Sequence, residues 1–255
     1  MRLKYNEWNT PESPLKFNSA LPLKTLSAAP HFVSLRNFLL YVAEQGNVKA
    51  TAAGNLSRKV VADVADYFWT PEIKQKHFNY SKVLNEGDVR GLTPGRYVLE
   101  KAGLILKRKG SFYVPKTKQY LLEDKQAAPL FELLFITHFR KLNLGYLGLY
   151  PDAFDVIQQD VDYAWFTLGR VAKNWTPLAG LPEKVLHPLT LDALTEAGKS
   201  LTYFKTERVL QFYLLRAFEL WGLVECKEKE GDYLGESKKI RVTAFFRKWI
   251  RFQMT

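Results

Sequence analysis

Apolar residues recur along this chain with helical and strand-like periods, and the changes between them mark its elements. From Phe32 to Glu44, Leu35, Phe38, Leu39 and Val42 fall at i, i+3, i+4 and i+7, one face of a helix that Gly46 can close. Val48-Lys49 suits a very short strand, and Thr51 is placed to cap a short helix turning at Gly54. A longer amphipathic helix is expected from Leu56, with Val60, Val61, Val64, Tyr67 and Phe68 on one side and Arg58, Lys59, Asp63 and Asp66 on the other. Residues 70–88 show no period and read as an irregular excursion. Order returns at Thr93-Pro94, an N-cap followed by a proline suited to the first helical turn, and this helix stops at Gly103. Leu104-Ile105-Leu106, a tight basic turn and Ser111-Phe112-Tyr113-Val114 then read as a hairpin.

Helix, glycine, strand, basic turn and returning strand is how a winged helix ends, and the step recurs. Thr206 caps a long helix, Glu207 to Trp221, and Gly222 stands to Leu223-Val224 as Gly103 stands to Leu104-Ile105. A charged loop and a second strand, Ile240-Arg241-Val242, follow. Between the two hairpins lie a short helix at Thr117 to Leu122 and a run from Pro129 to Phe139 that is apolar on nearly every face, suited to the centre of the molecule. A helix over Asp160 to Trp175 and a short one over Leu189 to Ala197 complete the series. The expected fold class is mainly α with small β-hairpins, an α+β protein of two winged-helix units joined by a central apolar helical region. Its parts are an extended N-terminal arm over 1–30 with Pro11, Pro14, Pro22 and Pro30, a first winged-helix unit over 31–125, a helical connector over 126–180 and a winged-helix-like second unit over 181–255.

Three segments, Thr51-Ala52-Ala53-Gly54-Asn55-Leu56, the hairpin entry Ala102-Gly103-Leu104, and Leu130-Phe131-Glu132-Leu133-Leu134 continuing through Phe139-Arg140-Lys141-Leu142-Asn143-Leu144-Gly145-Tyr146, carry a resemblance. In them the chain resembles a group of uncharacterised bacterial proteins that share a Thr-x-x-Gly-Asn-Leu segment, a winged hairpin and an aromatic-rich central helix. The similarity runs from about residue 32 to 160, with a fainter likeness over 206–252, and Ala50 stands where that pattern has leucine. The resemblance implies a tandem winged-helix architecture and no particular activity.

Charge adds a direction to this picture. Residues 1–125 hold 20 Lys and Arg against 11 Asp and Glu, whereas residues 126–255 hold 17 against 15, so most of the net +11 sits in the first half. A basic half beside a nearly neutral one is expected if one part meets a polyanion and the other packs or binds protein. In a winged helix the helix before the hairpin enters the major groove and the hairpin reaches flanking phosphates. Arg90, Arg96 and Lys101 are therefore the candidates on and before that helix, with Arg96 placed for a base edge, and Lys107, Arg108, Lys109 and Ser111 are the candidates at the hairpin. Double-stranded DNA is the expected partner, and regulation of transcription is one role such a protein serves.

In the second unit the loop Lys227-Glu228-Lys229-Glu230-Gly231-Asp232 alternates in sign, which suits a protein partner or a homodimer contact better than phosphate. The aromatics of the second half of the chain, among them Trp165, Trp175, Tyr203, Phe204, Phe212, Trp221 and Trp249, stand at helical spacing and are expected in a core. The contrasting expectation for the whole chain is a protein-interaction scaffold built on winged-helix folds. An enzyme is not expected: there is no phosphate-cradling glycine loop, no nucleophile elbow, no cofactor motif and no paired metal ligands among His31, His77, His138 and His187. Asp160 and Asp162, two apart on a helix, are expected on a solvated face, and His138 in a core. A single cysteine, Cys226, and the lack of an apolar leader or a membrane-length run suit a cytoplasmic location with no membrane contact.

Overall fold

A computed structural model describes residues 8–143, 156–199, 205–228 and 237–253. Leu144, Gly145, Tyr146, Tyr203, Phe204 and the loop residues Lys229, Glu230, Gly231 and Asp232 lie outside them. Helices and small antiparallel sheets make up an α+β protein. The described strands are β1 (Leu15–Phe17), β2 (Val48–Lys49), β3 (Leu106–Arg108), β4 (Ser111–Tyr113), β5 (Thr176–Pro177), β6 (Val224–Lys227), β7 (Lys239–Val242) and β8 (Ile250–Phe252). The chain divides into two compact units, one of Pro22–Leu142 and one of Met1–Leu21 with Asn143–Thr255.

In the unit spanning 22–142 the helix Pro30–Gln45 buries Phe32, Leu35, Phe38, Leu39 and Val42, the expected stripe with one aromatic added, and stops at Gly46 with φ 69°. The short helix expected at Thr51 is a turn instead. Gly54 N donates to Thr51 O, Asn55 N donates to Thr51 Oγ1, and Ala50 bridges Leu56. These bonds close the segment as a turn in place of a helix. The next helix is accordingly shorter than expected, Arg58–Val64 with a tighter turn over Ala65–Tyr67. The excursion at 70–88 is ordered: Pro71–Phe78 is a helix capped by Thr70, whose Oγ1 accepts from Ile73 N, and Glu86–Asp88 is a short 3-10 turn. No residue of Pro71–Phe78 is buried, so it lacks the apolar stripe by which a sequence betrays a helix.

The helix before the hairpin, Leu92–Lys101, begins after Gly91 rather than at a Thr93 cap. Gly95 lets it approach the helix Pro30–Gln45 closely, because a Cβ there would stand 2.7 Å from Leu35 Cδ2. At its end Gly103, φ 69°, donates to Glu100 O while Leu104 N donates to Leu99 O, the paired bonds of a left-handed C-terminal stop. The apolar run is a helix over Ala127–Ile136 continued by a wide π turn, Thr137–Lys141. Rather than joining two units it belongs to this one, where Phe131 packs on Phe32 at 5.0 Å between ring centroids. His138 is buried as expected, with its ring 5.4 Å from His31. Burial pushes the pKa of His31 down to about 4; burial and the neighbouring His31 push that of His138 well below the ordinary value.

In the other unit the first part of the segment expected as an extended arm, either packed across the body or mobile, is tied in by pairing: β1 runs antiparallel to β8, with Leu15 opposite Phe252 and Phe17 opposite Ile250. Phe17 stacks on Trp249 at 5.1 Å and Trp8 lies 4.8 Å from Trp165, so aromatic burial holds this segment in place. At about 25 cal/mol per Å2, a buried ring of this size contributes roughly 4–6 kcal/mol before entropy is subtracted. The helix Val161–Val171 buries Val161, Ala164, Trp165 and Leu168 as expected but ends before Trp175, because Thr176 and Pro177 form β5. Asp160 and Asp162 are not on a solvated face; both are buried, and Asp160 Oδ2 accepts from His187 N at 2.8 Å. After the helix Pro188–Gly198, the segments Thr206–Leu210, Gln211–Leu215 and Arg216–Leu220 run on as one helix with a π turn at its middle. Gly222, φ 68°, donates to Glu219 O and Leu223 N donates to Phe218 O, repeating the stop at Gly103 bond for bond.

Part of each unit runs helix, strand, helices, strand, strand, and each three-stranded sheet places its last strand in the middle, in the orders β2-β4-β3 and β5-β7-β6. No described helix is long and apolar enough to cross a membrane.

Candidate nucleic-acid interface

The basic hairpin forms where the sequence placed it. Lys109 and Gly110 both adopt positive φ, 49° and 71°, giving the two-residue turn whose twist matches that of the flanking strands. Leu106 pairs with Tyr113, Lys107 with Phe112 and Arg108 with Ser111, while β2 adds Val48 opposite Phe112 and Lys49 opposite Ser111. Phe112 and Val48 face inward and are buried. Alternation then turns Arg108, Ser111 and Lys49 outward as one row across three strands. A concavity of about 290 Å3 on this face is lined by Asn47, Arg108, Lys109, Ser111 and Tyr113. Lys107 leans the other way, its Nζ 5.7 Å from the Phe112 ring centroid and close against Gly54, where a Cβ would come within 2.6 Å.

Lys107, Arg108 and Lys109 are exposed, Ser111 is half-buried, and none of the three cations pairs with a described carboxylate. Arg90 and Lys101 are also exposed, at the approach to the helix and in its last turn. Arg96 is different. It is only 4% exposed; its Nε donates to Glu86 Oε1 at 2.7 Å and its Nη1 donates to Glu100 Oε1. Burial works against the charge of Arg96, but hydrogen bonds and attraction from Glu86 and then Glu100 outweigh it and hold its pKa above the ordinary value. A guanidinium enclosed by two carboxylates of its own unit does not reach a base edge, so the role expected for Arg96 is corrected to a structural one. The helix Leu92–Lys101 buries Leu92, Gly95, Arg96, Val98 and Leu99 and exposes Tyr97 and Lys101.

Glu86 is the residue that sequence reasoning missed, because it comes from the excursion ten positions away, whereas Glu100 at i+4 from Arg96 carried a legible signal. Glu86 also accepts from Leu56 N at 2.6 Å, and so joins the Thr51–Leu56 turn to the helix before the hairpin. Lys49, Asn47 and Tyr113 were missed as well; the two-residue alternation of the strands was the signal for them. Among the described residues no group of three or more His, Cys, Asp or Glu is gathered closely enough to hold a metal ion.

No curated protein and no solved structure matches the chain. Over residues 27–127, which take in the helices Pro30–Gln45 to Leu92–Lys101 and the whole β2-β4-β3 sheet, the chain matches the Y4jL N-terminal domain, an uncharacterised family.

Proposed function

We propose that the chain binds double-stranded DNA through the β3-β4 hairpin, each unit being a winged helix and the protein acting in the cytoplasm, with regulation of transcription as one role that fits. The observation that carries this reading is the set of exposed, unneutralised cations on one hairpin, Lys107, Arg108 and Lys109, with Lys49 in line across the sheet. Shared element and sheet order in the two units supports the tandem winged-helix reading. With Arg96 enclosed, the contacts are to phosphate, from the hairpin and from the flanking Arg90 and Lys101. Such contacts position a protein without reading bases, so binding is expected to discriminate weakly between sequences.

The test is fluorescence anisotropy of the full chain with a mixed-sequence duplex across a salt series. Changing Lys107, Arg108 and Lys109 together to Gln is expected to lower the slope of log K against log salt by about 2.7, from roughly 0.9 per lost phosphate contact. No binding at micromolar protein in low salt, or a slope untouched by the triple variant, refutes the reading. A protein-interaction module is the second reading, and one observation favours it: the capped helix Pro71–Phe78 buries nothing, and Ile73, Phe78, Tyr80 and Val83 are exposed in and after it.

A further inference from the structure

The outward faces of the two small sheets correspond position by position. Arg108 is the fifth residue after Gly103 and Lys227 the fifth after Gly222. The row Lys49, Ser111, Arg108 of the first sheet is Pro177, Lys239, Lys227 in the second. The next outward pair, Leu106 with Tyr113, is Glu225 with Arg241. Asn47, two residues before Lys49, corresponds to Trp175, two before Pro177. The inward positions Val224, Ile240 and Val242 are buried, so this alternation leaves Lys227, Lys239 and Arg241 on one solvent-facing surface.

Trp175 is not in the core, where its helical spacing had placed it. It is half-buried on that face, with Lys227 Nζ 4.2 Å and the Arg241 guanidinium 4.6 Å from its ring centroid. Among the described residues the face carries one carboxylate, Glu225, which pairs with Arg241 at 2.7 Å, against the three cations Lys227, Lys239 and Arg241. Just past the strand end Glu228 lies 3.7 Å from Lys238.

We infer that this face of the second sheet, Lys227, Lys239 and Arg241 around Trp175, is a second contact for the phosphate backbone of DNA. The Trp175 ring is already covered by two cations, which leaves less apolar surface open to a protein partner. What remains accessible is positive charge held in a fixed row by strand pairing, which is complementary to a polyanion. The inference rests on the DNA reading for the choice of polyanion and goes beyond it by assigning DNA contact to the unit whose loop had suggested a protein partner.

The test is the same salt series on the full chain with Lys227→Gln and Lys239→Gln combined, beside the hairpin triple variant. Two lost contacts are expected to lower the slope by about 1.8, and so to reduce more than tenfold the change in affinity across a fourfold rise in salt. Addition of duplex is expected to change the emission of Trp175, isolated by subtracting a Trp175→Phe variant. A double variant with unchanged slope and unchanged Trp175 emission, while the hairpin variant is impaired, overturns the second contact and leaves the hairpin reading standing. Loss of slope in the double variant with none in the hairpin variant upholds the second contact and overturns the first. If neither variant changes binding, both fall, and a slope unchanged on duplex but reduced on an acidic polypeptide overturns the DNA assignment of this face in favour of a protein.

Discussion

Arg96 offers the sharpest test of how the first unit is held together. Changing it to Met removes the guanidinium, keeps most of the stem volume, and leaves Glu86 buried with Oε1 facing no cation while Oε2 still accepts from Leu56 N. Removing one partner of a buried, hydrogen-bonded ion pair costs about 3–5 kcal/mol, chiefly the price of the charge left behind. With a urea m value of about 2 kcal/mol/M, that lowers the midpoint by roughly 1.5–2.5 M in a denaturation monitored by circular dichroism. Adding Glu86→Gln to Arg96→Met removes the buried charge and is expected to restore part of the loss at neutral pH. An Arg96→Met midpoint equal to that of the natural chain refutes the structural role. If it comes with weakened DNA binding, it restores the base-reading one.

Two further outcomes follow from burial and backbone geometry. His31, with its pKa held down to about 4, is neutral when folded and protonates when unfolded as pH drops below about 6.5, so stability falls between those values and no further from this group below pH 4. The loss reaches about 3 kcal/mol, at 1.36 kcal/mol per pKa unit, and His31→Phe is expected to flatten this part of the pH profile of the urea midpoint; equal pH slopes for the two proteins contradict it. At Gly103 a Cβ would meet nothing within 4 Å, so Gly103→Ala isolates the cost of φ 69°. It is expected to lose about 1–2 kcal/mol with no change in hairpin DNA contact, and a melting temperature within error of the natural chain's rules out the left-handed stop as the reason for glycine there.

Local signals were legible wherever one residue type does a job alone. Gly46, Gly103 and Gly222 each stop a helix at positive φ, and the Leu35, Phe38, Leu39, Val42 stripe is buried as its spacing required. The basic turn at Lys109-Gly110 and the repeated glycine-to-strand step were equally plain, because each depends on neighbours within a few positions. Elements whose form depends on distant partners were not legible. Pro71–Phe78 carries no buried face to betray it, Thr51 closes a turn where a helix cap was expected, and Asp160 is enclosed because a backbone N–H at His187 comes to meet it.

The candidate site divides along the same line. Sequence alone determined which residues are cationic and that Lys107, Arg108 and Lys109 stand at a hairpin tip, since charge and turn geometry are local properties. Tertiary structure decided which of the cations are available. Glu86, brought in from another segment, takes Arg96 out of solvent, and strand register aligns Lys49 with Arg108 and Lys227 with Lys239. The physical reason is that an ion pair or a register is set by the distance between groups in space, and a chain states only their distance along itself.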